Sequence, residues 1–180
     1  QGRICEIINR LGDASDKDHI MKEAKELFWD QSLIEKLDTN PYLLCFNNGV
    51  IDFKENVFRR GYPEDYISKT TNIDYIPLND GRDSKIIGEI NEFMAKLFPR
   101  EELRRYMWEH LASVLLGTHD KQTFHMYIGE GRNGKSVLTT LIDEIMGEYK
   151  GIVPLSAITQ DRQKIGGTSA ELVVLKGVRY

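Results

Sequence analysis

The sequence predicts an α+β module over residues 1–119 followed by the opening of an α/β phosphate-loop domain over residues 120–180, the second domain being truncated. Three observations carry this. Apolar residues fall at helical spacing in three stretches before residue 118, and two short apolar runs are joined by Asn47, Asn48 and Gly49. A β-prone run, a glycine-rich loop and a helical pattern then follow one another between Phe124 and Gly147.

The stretch DKDHIMKEAKELFWDQSLIEKL places Ile20, Met21, Ala24, Leu27 and Phe28 on one helical face, with Asp16 or Asp18 available near its start. Such a face is expected in the core. In PYLLCFNNGVIDF the Asn-Asn-Gly turn predicts a hairpin, because these residues accept positive φ. A turn at KENV and the run VFRRGY extend it to a small antiparallel sheet. From Asp83, the residues Ile86, Ile87, Ile90, Phe93, Met94 and Leu97 mark an amphipathic helix that stops before Pro99. Pro99 suits the first turn of a second helix carrying Leu103, Met107, Leu111, Val114 and Leu115, with Gly117 as its stop, and the two helices are expected to pair. GTHDKQ is the connector.

Composition bounds the function. Hydrophobic residues at 41% and charged residues at 29% are globular values. A net charge of -4 argues against a chain wrapped on nucleic acid over its whole surface. Cys5 and Cys45 form no CxxC pair, so both are expected as free thiols in a reducing compartment. No apolar run approaches bilayer length and no signal peptide opens the chain, which predicts an intracellular protein without a membrane partner. The start at Gln1 without an initiator Met points to a piece of something longer.

Gly129 to Ser136 reads GxxxxGKS, between a predicted strand FHMYIG and the helical residues Val137, Leu138, Leu141, Ile142 and Ile145, which end at Gly147. A nucleotide's phosphates must be held by backbone N–H groups aimed inward, with the positive end of a helix dipole behind them. Gly129, Gly131 and Gly134 let the backbone approach, and Asn133 tolerates strained φ/ψ. Lys135 would reach the β and γ phosphates, and Ser136 would place its hydroxyl on Mg²⁺. The predicted nucleotide-binding set is Gly129, Glu130, Gly131, Arg132, Asn133, Gly134, Lys135, Ser136 and Val137, with Lys135 the catalytic residue. The competing reading is a plain glycine turn with Lys135 solvated. At average glycine usage the bare pattern arises by chance in fewer than roughly one in a hundred chains of this size.

Hydrolysis further needs a carboxylate behind Mg²⁺ and a group that orients water. No second carboxylate motif answers to this: Asp143 and Glu144 read as a solvated helix face, and Asp161 stands in the polar TQDRQKIGGTS. AELVVLKGVRY reads either as a helix capped at Gly177 with a strand starting at Val178, or as one long strand; the first is preferred.

NGVID, then PEDYISKTTNIDY, a helical pair, YIGEGRNGKS and LKGVRY together resemble the primase-helicases of poxviruses, giant viruses and certain phages, which are superfamily III helicases of the AAA+ class. The resemblance spans nearly the whole chain. It implies an ATP-hydrolysing ring, commonly hexameric, that draws single-stranded DNA through its centre, in the host cytoplasm or at a viral replication site. Gly129, Gly134, Lys135 and Ser136 carry over as its Walker A residues. The family's Walker B pair, sensor, DNA-gripping hairpin and arginine finger are expected past Tyr180. This chain by itself is therefore expected to bind nucleotide weakly and not to unwind DNA.

Arg59 and Arg60, and Arg100, Arg104 and Arg105, are interleaved with carboxylates and read as a solvated face with i,i+4 pairing. His19, His110, His119 and His125 lack metal-ligand spacing. Trp29 and Trp108 sit in helical patterns and are expected in core or interface. Two rival functions stand beside the helicase: another P-loop NTPase or kinase, and a non-catalytic oligomerisation collar formed by residues 1–119.

Overall fold

The structure, a computed structural model, describes residues 2–118, 123–153, 155, 159 and 175–180. His119, Asp161 and the greater part of the helix expected before Gly177 lie outside the described residues. The chain divides into two compact units, residues 1–36 and 37–180.

The first unit holds α1 (Gly2–Gly12), α2 (Ala14–Leu27) and the short α3 (Leu33–Lys36). The helix expected over residues 16–37 is thus two helices. Asp13 rather than Asp16 or Asp18 caps α2, its Oδ1 accepting from the N–H groups of Ser15 at 2.8 Å and Asp16 at 3.2 Å. The expected core face is not buried: Met21 is 57% exposed, Phe28 83% and Trp29 70%. Three helices in so few residues offer too little apolar area to close a core of their own.

In the second unit, β1 (Leu43–Phe46), β2 (Gly49–Asp52) and β3 (Val57–Arg59) form the expected antiparallel sheet, in the order β1-β2-β3. Phe46 pairs with Gly49 across the two-residue turn. Asn47 and Asn48 do not adopt positive φ. Their value lies in side-chain and backbone hydrogen bonding. Asn47 N–H donates to Ile73 O, and the Asn48 amide both accepts from Tyr75 N–H and donates to Tyr75 O, each at 2.9 Å. These bonds lay the segment 70–75 along the hairpin, where Thr71 N–H donates to Cys45 O. Gly49 is required by close approach, since a Cβ there would stand 2.6 Å from the Phe58 ring and 2.7 Å from Arg59 O.

Next come α4 (Asp80–Leu97) and α5 (Glu101–Ser113). The first starts three residues before Asp83, because the Asn79 side chain accepts from Gly81 and Arg82 N–H, both at 3.1 Å. Pro99 precedes α5 rather than entering its first turn. That helix ends short of Gly117, whose N–H donates to Pro41 O at 2.8 Å. The helix α6 (Lys135–Met146) runs from the glycine loop to Gly147.

Leu44 of β1, Met94 of α4, Met107 and Leu111 of α5, and Leu138, Ile142 and Met146 of α6 share one buried cluster with Tyr149. Each such aliphatic side chain contributes about 1.5–3 kcal/mol on burial. The boundary expected at 119/120 falls on residues outside the described set, and this cluster draws from both sides of it. Gly147, with φ 52° and ψ −117°, closes α6 where a Cβ would collide with the Thr71 backbone. At the C-terminal end, Arg179 N–H donates to Tyr149 O at 2.7 Å and Gly151 N–H to Tyr180 O at 2.8 Å. Gly177 has the positive φ, 74°, expected of a helix cap, while residues 178–180 are not a strand.

Candidate functional site

The sequence places three glycines in the six residues ahead of α6, and the structure shows what two of them permit. Gly131 (φ 97°) and Gly134 (φ 81°) are left-handed, and so is Arg132 (φ 50°). Asn133, expected to absorb such strain, does not. Gly134 is the N-cap of α6 and lies against α4, a Cβ on it falling 3.2 Å from Leu97 Cδ1. Leu138 N–H donates to Gly134 O at 3.0 Å, so the amides of Lys135, Ser136 and Val137 precede the first intrahelical bond.

Lys135, half-buried, donates from Nζ to Asn133 Oδ1 at 2.6 Å. Both side chains lie over Gly129: Nζ is 2.7 Å from where a Cβ of residue 129 would stand. Glu130, Gly131, Arg132, Asn133, Ser136 and Val137 are exposed. The structure therefore brings the predicted site residues into one open loop with a lysine, a hydroxyl and three helix-start amides. Such an arrangement can accept an anion, because free N–H groups and the helix dipole both favour negative charge there. Lys135 and Ser136 have no carboxylate bonded to them among the described residues, and the described residues hold no cluster of three metal-ligating side chains.

The run leading into the loop differs from expectation. Residues 123–129 are not a strand: a β-ladder needs a partner, and none pairs with them among the described residues. The alternation of a strand is nonetheless present. Phe124, Met126 and Ile128 are 82%, 70% and 85% exposed, whereas His125 and Tyr127 turn to α5. There Tyr106 OH meets His125 Nε2 at 2.9 Å, Tyr127 OH meets His110 Nε2 at 2.8 Å, and the two imidazoles stack with centroids 3.7 Å apart. Burial, with His125 adding to it, holds His110 below the usual imidazole range, and burial pushes the Tyr127 phenol up to about 12. Sequence reasoning missed this cluster because it tested the histidines for metal spacing alone. Fifteen residues separate His110 from His125, and only the packing of 123–127 on α5 joins them.

The other candidates resolve individually. Arg105 pairs with Glu109 at 3.0 Å, as an i,i+4 solvated pair should. Arg59 departs from that reading: its guanidinium is bound by Asp65 through two 2.8 Å bonds and reaches Asp52 at 3.4 Å. Arg104 donates to Phe98 O, and Trp108, 40% exposed, is not a core residue. Asp143 is half-buried and Glu144 exposed. Among the described residues no helix is long and apolar enough to cross a membrane.

An α+β unit in which a glycine-rich loop leads into a helix N-terminus is an architecture open to many proteins rather than the mark of one. The particular family comes from comparison: the D5 N terminal like family model matches residues 6–109, and the chain belongs to that family. "Putative helicase L207/L206" of Acanthamoeba polyphaga mimivirus is 33% identical over 176 residues, 98% of this chain and 18% of the relative. "Putative helicase 121R" of Invertebrate iridescent virus 3 is 33% identical over 171 residues, 94% of this chain and 18% of the relative. "Putative primase C962R" of African swine fever virus is 26% identical over 176 residues, 96% of this chain and 18% of the relative. The resemblance to viral primase-helicases is thereby upheld. The chain spans less than a fifth of the length of these relatives.

Proposed function

We propose that this chain is part of an ATP-dependent DNA helicase acting in viral DNA replication within an infected cell, and that Gly129–Ser136 is its Walker A phosphate loop. The observation that carries the reading is the loop itself: left-handed glycines, a lysine over Gly129, and three amides at the start of α6 without intrahelical acceptors. The relatives' names as putative helicases and primases support it.

In this reading the loop amides and the α6 dipole hold the phosphates of ATP, and Lys135 supplies a mobile positive charge to the outer ones. The Ser136 hydroxyl, exposed on the first turn of α6, fits a magnesium ligand. Bound magnesium would neutralise charge on the phosphate oxygens. Residues 120–180 then open an AAA+ ATPase domain, residues 1–119 form the module ahead of it, and the whole protein assembles as a ring, expected to be hexameric, on single-stranded DNA. An assembly role for the first residues is favoured by α1, where Ile4, Ile7, Ile8 and Leu11 are each more than half exposed on one face.

The test uses the longer protein of which this reading makes the chain a part. Its ATPase rate is measured with and without single-stranded DNA, and its mass by light scattering. DNA-stimulated turnover by a ring, reduced at least roughly a hundredfold by Lys135→Ala, is the expected result, since a charge aimed at the transferring phosphoryl group carries several kcal/mol. Turnover indifferent to DNA from a monomer would move the assignment to another P-loop NTPase or a kinase.

A further inference from the structure

Lys135 occupies an electrostatically awkward place. It is the first residue of α6, where the helix dipole is positive and disfavours a cation. Its side chain also has four rotatable bonds and about 2 kcal/mol of rotamer entropy, so without a partner the ammonium would swing into solvent. The structure shows a partner: Asn133 Oδ1 accepts from Nζ at 2.6 Å, and both groups fill the space that a side chain on residue 129 would need. A neutral amide oxygen suits this role. It offsets the unfavourable dipole without cancelling the lysine's charge, as a carboxylate would, and it uses only one of the three ammonium protons.

We propose that Asn133 is a positioning residue for Lys135: its amide oxygen holds the ammonium inside the loop, over Gly129, before a phosphate arrives, leaving two N–H donors for that phosphate. The inference rests on the nucleotide-binding reading of the loop. It makes Gly129 a specific requirement, because any Cβ there would displace the Asn133–Lys135 pair.

The test is isothermal titration of the longer protein, of which the proposed function makes this chain a part, with magnesium ATP, using wild type, Asn133→Ala, Lys135→Ala and the double variant, with circular dichroism to confirm folding. Asn133→Ala is expected to weaken binding about threefold to tenfold, the cost of ordering one long side chain on association. In the Lys135→Ala background the same change is expected to have no further effect, because Asn133 acts through the lysine. Asn133→Asp, which keeps the acceptor but neutralises the cation, is expected to bind ATP no better than Asn133→Ala. A second readout needs no nucleotide: an amine-acylating reagent should modify Lys135, relative to Lys150, faster in Asn133→Ala than in wild type.

Wild-type affinity in Asn133→Ala, an undiminished loss on adding Asn133→Ala to Lys135→Ala, or an unchanged acylation ratio would each overturn the positioning role while leaving the loop a nucleotide site. If wild type does not bind ATP, or Lys135→Ala does not weaken it, the nucleotide reading itself fails and this inference with it.

Discussion

Arg59 and Asp65 show how a single pair can organise a segment that sequence patterning left undefined. Two parallel 2.8 Å bonds join the guanidinium to the carboxylate, whose side chain is only 11% exposed, and Asp65 Oδ2 also accepts from Tyr62 N–H. The Arg59 bond holds the Asp65 carboxyl below its ordinary value of 3.8. A depressed carboxylate stabilises the fold fully above its unfolded value, and that contribution is lost as pH falls through the folded one. Asp65→Asn should therefore cost about 1–2 kcal/mol at pH 7 by urea unfolding, with the difference from wild type shrinking below about pH 4. A constant difference down to pH 2.5 would remove the pair from that role.

Elements are held to one another by a mixture of apolar and polar seams. The helix α6 buries Leu138, Ile142 and Met146 on one face, four residues apart; Leu138 and Ile142 belong to the pattern expected from the sequence, Met146 does not, and Val137 and Leu141 of that pattern are exposed. The seam between α5 and residues 123–127 is of another kind, built from the Tyr106, His110, His125 and Tyr127 side chains. The folded state favours neutral His110, so its stabilising contribution is complete above the ordinary imidazole value of 6.5 and is lost as pH drops below it. Lowering pH from 7.5 to 5.5 should reduce the urea midpoint, and His110→Gln should shrink that pH dependence while lowering stability at pH 7.5. Equal pH dependence in the two proteins would assign the effect to another group.

At the scale of the whole molecule, the shared core belongs to residues 37–180, while the unit 1–36 has no buried residue among those described. Removing residues 1–36 is accordingly expected to leave the unfolding free energy of the remainder unchanged within about 0.5 kcal/mol by urea titration, as for changes remote from a core. A loss of cooperative unfolding would show that the first helices complete the core. The sequence by itself determined the hairpin, the three later helices, the loop and its lysine. Each has a local signal, in turn residues, in spacing along one helix face, or in glycines that a close backbone requires, although the hairpin's Asn47 and Asn48 act through Ile73 and Tyr75 rather than through positive φ. Tertiary structure alone decided that the apolar faces of α1 and α2 stay exposed, that Asn48 clamps Tyr75, that Asn133 holds Lys135, and that His110 meets His125. Burial and side-chain pairing depend on which surfaces remain to cover a face once the chain has folded back on itself. Periodicity reports that a face is apolar, not what lies against it.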